Sequence, residues 1–115
     1  MKHGLGAAFS CAEIKQATGN KHVDLLVADL RLLQEVRRLA EAFQQKYGHL
    51  HILVNNAGGT YRSRTVTAEG LEATLAFNHL TPFLLTELLL GVLKASADEL
   101  SLIIWRGIGT PGILR

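Results

Sequence analysis

Residues 51 to 59 read His-Ile-Leu-Val-Asn-Asn-Ala-Gly-Gly, a short apolar run that stops on two asparagines and three small residues. A strand that is apolar on both faces has to be covered on both, which is the situation of a strand inside a parallel sheet. Ligands of such sheets bind just beyond the carboxyl ends of the strands. The segment from Asn55 to Gly59 stands at that address, so one run points both to a layered α/β architecture and to the place where a site would form.

The chain has 115 residues, 48% of them apolar and 19% charged, a globular composition with room for one domain. A net charge of +2 argues against a nucleic-acid partner or an anionic membrane surface. The pairs Arg37 and Arg38, and Arg62 and Arg64, read as solvated faces. Cys11 is the sole cysteine, so no internal disulfide can form and a cytoplasmic location is expected. The apolar stretch near Met1 is very short and is followed by no convincing cleavage site for export. Pro82 to Leu93 is interrupted by Thr86 and Glu87 and falls short of the ~20 residues that cross a bilayer, so no membrane span is expected. His49 and His51 have no third ligand nearby, and no metal site is expected.

Hydrophobic spacing predicts a helix from Ala7 to Thr18 closed by Gly19, then a strand from about His22 to Ala28. Leu32, Val36, Leu39, Phe43 and Tyr47 form one stripe of an amphipathic helix that Gly48 ends. The strand Ile52 to Val54 follows, and then a loop from Gly59 to Val66. Thr67 is a plausible cap for a helix through Leu71, Leu75 and Leu80, which Pro82 should kink or divide. Leu84 to Leu93 continues as a very apolar helix that needs burial on more than one side. Ser101 to Trp105 looks like a further strand, and Gly107 to Arg115 like an irregular tail.

Taken singly, the polar residues have plain explanations. Asp29 could cap the helix that follows it, Asn55 to Gly58 could be a polar turn, and Asn78 could bond to its own helical turn. Their spacing is more telling. Val23-Asp-Leu-Leu-Val-Ala-Asp-Leu30 is an apolar run ending in Asp29 and Leu30, Asn55 follows Asp29 by 26 residues, and Asn78-His-Leu80 begins 23 residues after Asn55. Over roughly residues 12 to 97 these three segments resemble the short-chain dehydrogenase/reductase family, in its retinol-dehydrogenase-like branch.

The resemblance implies hydride transfer between NAD or NADP and a carbonyl or alcohol substrate. By the same resemblance, Asp29 would meet the adenine amino group and Leu30 would offer its backbone amide. Ala57 and Gly58 would let the backbone approach a ribose, and Asn55 would tie the strand end to its neighbour. Asn78 matches a catalytic-set asparagine that helps hold a water linked to the family's lysine.

Other parts of the pattern are absent. The family's tyrosine is followed four residues later by a lysine, whereas Tyr47 and Tyr61 are followed by His51 and Thr65. Trp105 and Arg106 stand where the family carries serines, and Arg31 stands where a serine usually caps the next helix. Gly4 and Gly6 follow no strand and lack a correctly spaced third glycine for a pyrophosphate cradle. The expected fold is a single partial Rossmann-like α/β domain, with about three parallel strands and without the first two strands of the family's sheet. The strands expected at 22–28 and 51–55 would then either pair directly or leave open edges. The expected protein is a truncated, catalytically incomplete member that binds NAD or NADP weakly or not at all. The alternative is a non-catalytic interaction module, a homo-oligomer formed through the 84–93 helix.

Overall fold

The computed structural model describes residues 2–97, 102–106 and 111–114. Helix α1 (Lys2–Thr18) ends on Gly19, whose φ of 68° is the left-handed conformation that favours glycine. The Gly19 amide donates to the Lys15 carbonyl at 3.0 Å. Helix α2 (Leu33–Lys46) buries Val36, on the stripe that the spacing predicts, and Ala40, which that stripe does not include. It stops before Gly48, with Tyr47 in an extended conformation.

The expected strand at 22–28 does not form. A strand is stable through a ladder of backbone hydrogen bonds, and no described segment supplies one here. The carbonyls of this stretch are engaged otherwise: Val23 O accepts from the Cys11 thiol at 3.6 Å, and Val27 O accepts from Arg38 Nη2 at 2.9 Å. Leu25 and Val27 stay largely exposed.

Strand β1 (Ile52–Asn55) pairs in parallel with β2 (Leu102–Arg106), in a register that places Asn55 opposite Trp105. The third strand, β3 (Pro111–Leu114), pairs antiparallel with β2, giving the order β1-β2-β3. The partial α/β architecture therefore stands, with two corrections: only two of its three strands are parallel, and residues 111–114 form a strand where an irregular tail was expected. The remainder of that predicted tail lies outside the described residues. Among the described residues nothing pairs with the free edge of β1, and Ile52 and Val54 are more than half exposed. Of the two arrangements open to the sheet, the open edge is the one observed.

Between β1 and β2 runs one long helical stretch. Its first turn, α3 (Ala73–Leu75), leads through a π-helical turn (Ala76–Leu80) into α4 (Thr81–Ser96). Thr67 does not start it. Thr67 instead closes a turn, its carbonyl accepting from Gly70 N at 2.9 Å and its hydroxyl from Leu71 N at 3.3 Å. The cap is Glu72, whose carboxylate accepts from Thr74 N at 3.1 Å and Leu75 N at 2.7 Å. Pro82 lacks an amide and its ring crowds the preceding turn; the wider π turn immediately before it absorbs that conflict, so the helix is divided and not stopped.

The core is small and lies where α4 crosses α2 over β1. Ala40, Leu89 and Leu93 are buried together, with Phe43, Leu50, Leu53, Leu85, Leu88 and Val92 packed around them. Ser96 ties this layer to the sheet, since its hydroxyl accepts from Leu50 N at 2.9 Å and donates to Val92 O at 2.6 Å. Phe83, on the same helix, is 53% exposed, so the expected burial of α4 on several sides is only partial. The whole stretch Ala73–Ser96, 24 residues, is long and apolar enough to cross a bilayer, which the shorter Pro82 to Leu93 run is not. A core helix meets the same criterion, and Leu89 and Leu93 are core residues.

Candidate functional site

Asn55 ends β1 with only 7% of its surface exposed, and its amide Nδ2 donates to Thr86 Oγ1 on α4 at 3.1 Å. A buried amide without a partner would be costly, so this bond fixes the angle at which the chain leaves the strand. Ala57 and Gly58 follow in an exposed loop. Asn78, on the π turn, closes that loop: its Oδ1 accepts from Gly59 N at 2.9 Å, and its Nδ2 donates to Gly59 O at 2.5 Å and to Thr74 O at 2.9 Å. A Cβ added at Gly58 would lie 2.6 Å from Asn78 Oδ1. The small residue at 58 is thus required by Asn78 itself, whatever approaches the loop from outside.

Asp29 and Leu30 are anchored to the same helical stretch. The Leu30 carbonyl accepts from Thr81 Oγ1 at 2.5 Å, and Thr81 is 3% exposed. Three polar residues of one helix, Asn78, Thr81 and Thr86, therefore hold both motif segments in place. Thr81 and Thr86 were not singled out in the sequence as site residues. Their partners lie 51 and 31 residues away, a separation at which local pattern carries no signal.

Arg31 lies over Asp29. Its amide and its Nε donate to Asp29 Oδ1 at 3.1 and 2.9 Å, and its Nη2 donates to Oδ2 at 2.8 Å. The hydrogen bond to Asp29, and after it one to Tyr61, raise the guanidinium above its ordinary pKa, so it stays charged at every relevant pH. With Arg31 turned to Asp29, the start of α2 is capped from elsewhere. The Glu69 carboxylate accepts from Leu33 N at 2.5 Å and Gln34 N at 3.0 Å. This carboxylate on a helix N-terminus also suits the helix dipole.

Two clefts meet at this point. A larger one of about 440 Å³ is lined by Ala28, Asp29, Leu30, Arg31, Tyr61 and Phe77. A smaller one of about 210 Å³ runs along Leu32, Thr65 to Ala68 and Ala73. Asp29, Arg31 and Tyr61 line both. Asn55, Ala57 and Gly58 line neither, so the structure brings Asp29 and Leu30 to a cleft and leaves the other three at the open strand end.

Neither tyrosine is placed as the family's proton donor. The Tyr47 hydroxyl bonds to the Asp24 carboxylate with Lys46 beside them, on the far end of α2, and Tyr61 sits by Arg31. Among the described residues no group of His, Cys, Asp and Glu could hold a metal ion. For a nicotinamide dinucleotide the fit is partial: the cleft at Asp29 and Leu30 holds a carboxylate, paired with Arg31, and space for a base, and the loop after β1 exposes backbone. A Gly-rich phosphate cradle is not among the described residues.

Comparison with known proteins bears on the family and the fold. The family model of the short chain dehydrogenase matches residues 6–103. Retinol dehydrogenase 12 of Bos taurus is 46% identical over 88 residues, which is 76% of this chain and 28% of that protein. An NADH-dependent reductase complexed with NAD superposes with a TM-score of 0.63 at 22% identity, covering 84% of this chain and 42% of its own. The Pseudomonas aeruginosa RhlG/NADP active-site complex superposes with a TM-score of 0.61 at 27% identity, covering 77% of this chain and 36% of its own. The chain spans about a quarter of the length of the retinol dehydrogenase it matches.

Proposed function

We propose, from the premise that this chain belongs to the short-chain dehydrogenase family, that it carries the adenosine-contacting part of an NAD(P) site from an oxidoreductase acting on a carbonyl or alcohol. The single observation that carries this reading is the shared anchoring of Asp29–Leu30 and of the Asn55–Gly59 loop on one helix, through Thr81, Thr86 and Asn78. Two segments far apart in sequence are thereby held in a fixed relation, as a ligand spanning both requires.

In this role the Asp29 carboxylate accepts from the base, Leu30 supplies backbone, and Ala57 and Gly58 allow close approach to a sugar. Asn55 and Asn78 position the loop, because their side chains are already committed to Thr86 and Gly59. When bound, the dinucleotide supplies the hydride chemistry. The residues in hand account for binding and orientation of the dinucleotide, and the sequence given holds no tyrosine followed four residues later by a lysine. With the base and ribose contacts alone, affinity on the order of millimolar is expected.

The retinol dehydrogenase similarity supports an apolar carbonyl or alcohol as the substrate class of the family branch. The interaction-module alternative is less favoured, since α4 spends Leu89 and Leu93 inside its own core.

The test is a backbone amide NMR titration with NADH and with NADPH. Coupled shifts at residues 29–30 and 55–59 are expected. Shifts at neither segment at millimolar ligand would overturn the proposal.

A further inference from the structure

We infer that Arg31 is a specificity-determining residue that occupies the Asp29 carboxylate in the unliganded chain and must release it before a base can bind. This inference rests on the reading of Asp29 as a nucleotide contact and concerns what competes for it.

A carboxylate only accepts hydrogen bonds. Both Asp29 oxygens accept from Arg31, Oδ1 from its amide and Nε, and Oδ2 from Nη2 at 2.8 Å. These N–H donors have the same hydrogen-bonding character as the exocyclic amino group of adenine, and the planar fork takes the face that a base edge would use. Arg31 thus stands in, within the chain, for the ligand donor.

Three features make the exchange feasible. The pair joins residues two apart, and the longer-range contact given up with it is the Arg31–Tyr61 hydrogen bond. The N-terminus of α2 does not depend on Arg31, since Glu69 caps it. The Arg31 side chain is 43% exposed against 28% for Asp29, so the guanidinium has solvent to move into.

Position makes the exchange consequential. Asp29, Arg31 and Tyr61 form the partition shared by the two clefts. With the guanidinium on Asp29, the larger cleft presents a cation and an aromatic ring. With it released, the same cleft presents a carboxylate to a donor on the base. Arg31 therefore sets both the affinity for an amino-bearing purine and the discrimination against one that carries an oxo group in its place.

The probes are adenosine and inosine, which are neutral and differ at that group. Binding to the full chain is followed by amide NMR for the parent, Arg31→Ser and Arg31→Lys. Arg31→Ser is expected to bind adenosine about two- to fivefold tighter than the parent, the range that an exposed ion pair spans, with inosine unchanged. Arg31→Lys, which keeps the charge but loses the fork, is expected to fall between them. Unchanged or weaker adenosine binding by Arg31→Ser, or an equal gain for inosine, would overturn the inference while leaving the nucleotide site intact. If adenosine shifts no resonance near Asp29 in any of the three chains, the nucleotide reading fails and takes the inference with it. Unaltered resonances along α2 verify that each variant is folded, and Arg31→Lys keeps the test decisive should the serine variant not fold.

Discussion

Asn78 and Gly59 are bonded in both directions, the Gly59 amide donating to Asn78 Oδ1 at 2.9 Å and the Asn78 amide returning a bond to the Gly59 carbonyl. A side chain on a π turn thus behaves as a strand edge would, pairing with one residue's donor and acceptor together. π turns are frequent at functional sites, and here the turn serves to aim this amide at the loop beyond β1. The first consequences concern that loop.

Replacing Asn78 by Ala removes its bonds to the exposed Gly59 amide and carbonyl and to the Thr74 carbonyl, and is expected to destabilise the chain by about 0.5–1.5 kcal/mol in urea unfolding. Asn78→Asp keeps the acceptor for Gly59 N but opposes a carboxylate to the carbonyls of Gly59 and Thr74, so it should do no better near neutral pH.

Gly58→Ala places a Cβ 2.6 Å from Asn78 Oδ1 and is expected to be destabilising in the parent. In an Asn78→Ala background the clash is gone and the cost should largely vanish, which a double-mutant cycle on unfolding free energies would read directly. Equal cost in both backgrounds would mean that Gly58 is demanded by something other than Asn78.

Thr81→Val preserves shape and removes the hydroxyl that holds the Leu30 carbonyl. A loss of about 1 kcal/mol in stability is expected, together with weaker binding of any ligand that uses Asp29 and Leu30. Retained nucleotide affinity in this variant would detach the two observations from each other.

Acid should weaken the start of the long helix. The Leu75 and then the Thr74 amides hold the Glu72 carboxyl below its ordinary value of 4.5. A carboxyl depressed in the folded state stabilises fully above its unfolded pKa, and that stabilisation is lost as pH falls through the folded value. The melting temperature is therefore expected to fall below about pH 4.5, with Glu72→Gln flattening part of the dependence. Asp24, bonded first to Tyr47, and Glu35, bonded to Arg38, are lowered too and account for acid sensitivity that survives in the variant.

What the sequence makes legible and what it hides follow from distance along the chain. The helical stripe through Val36, the strand ending at Asn55 and the dividing effect of Pro82 are local patterns, and all three are in the structure. The Val23 to Ala28 run has the side chains of a strand, but strand formation depends on a neighbour that side chains do not reveal. Pro111 to Leu114 has the residues of a tail and becomes a strand because β2 offers it an edge. Thr67 and Glu72 are both reasonable caps, and the bridge between Val66 and Glu72 decides between them by placing Thr67 inside a turn. The Glu69 cap on α2 joins residues 36 apart, so the helix start at Leu33 is explained only in three dimensions.

The most direct test of the central claim, that two anchored segments form a nucleotide site, is thermal unfolding of the chain by circular dichroism, alone and with excess NADH or NADPH. Only a ligand that prefers the folded state raises the transition. The account predicts one cooperative transition moved upward by at least one of the two dinucleotides, and moved less in Thr81→Val. A transition indifferent to both would contradict it.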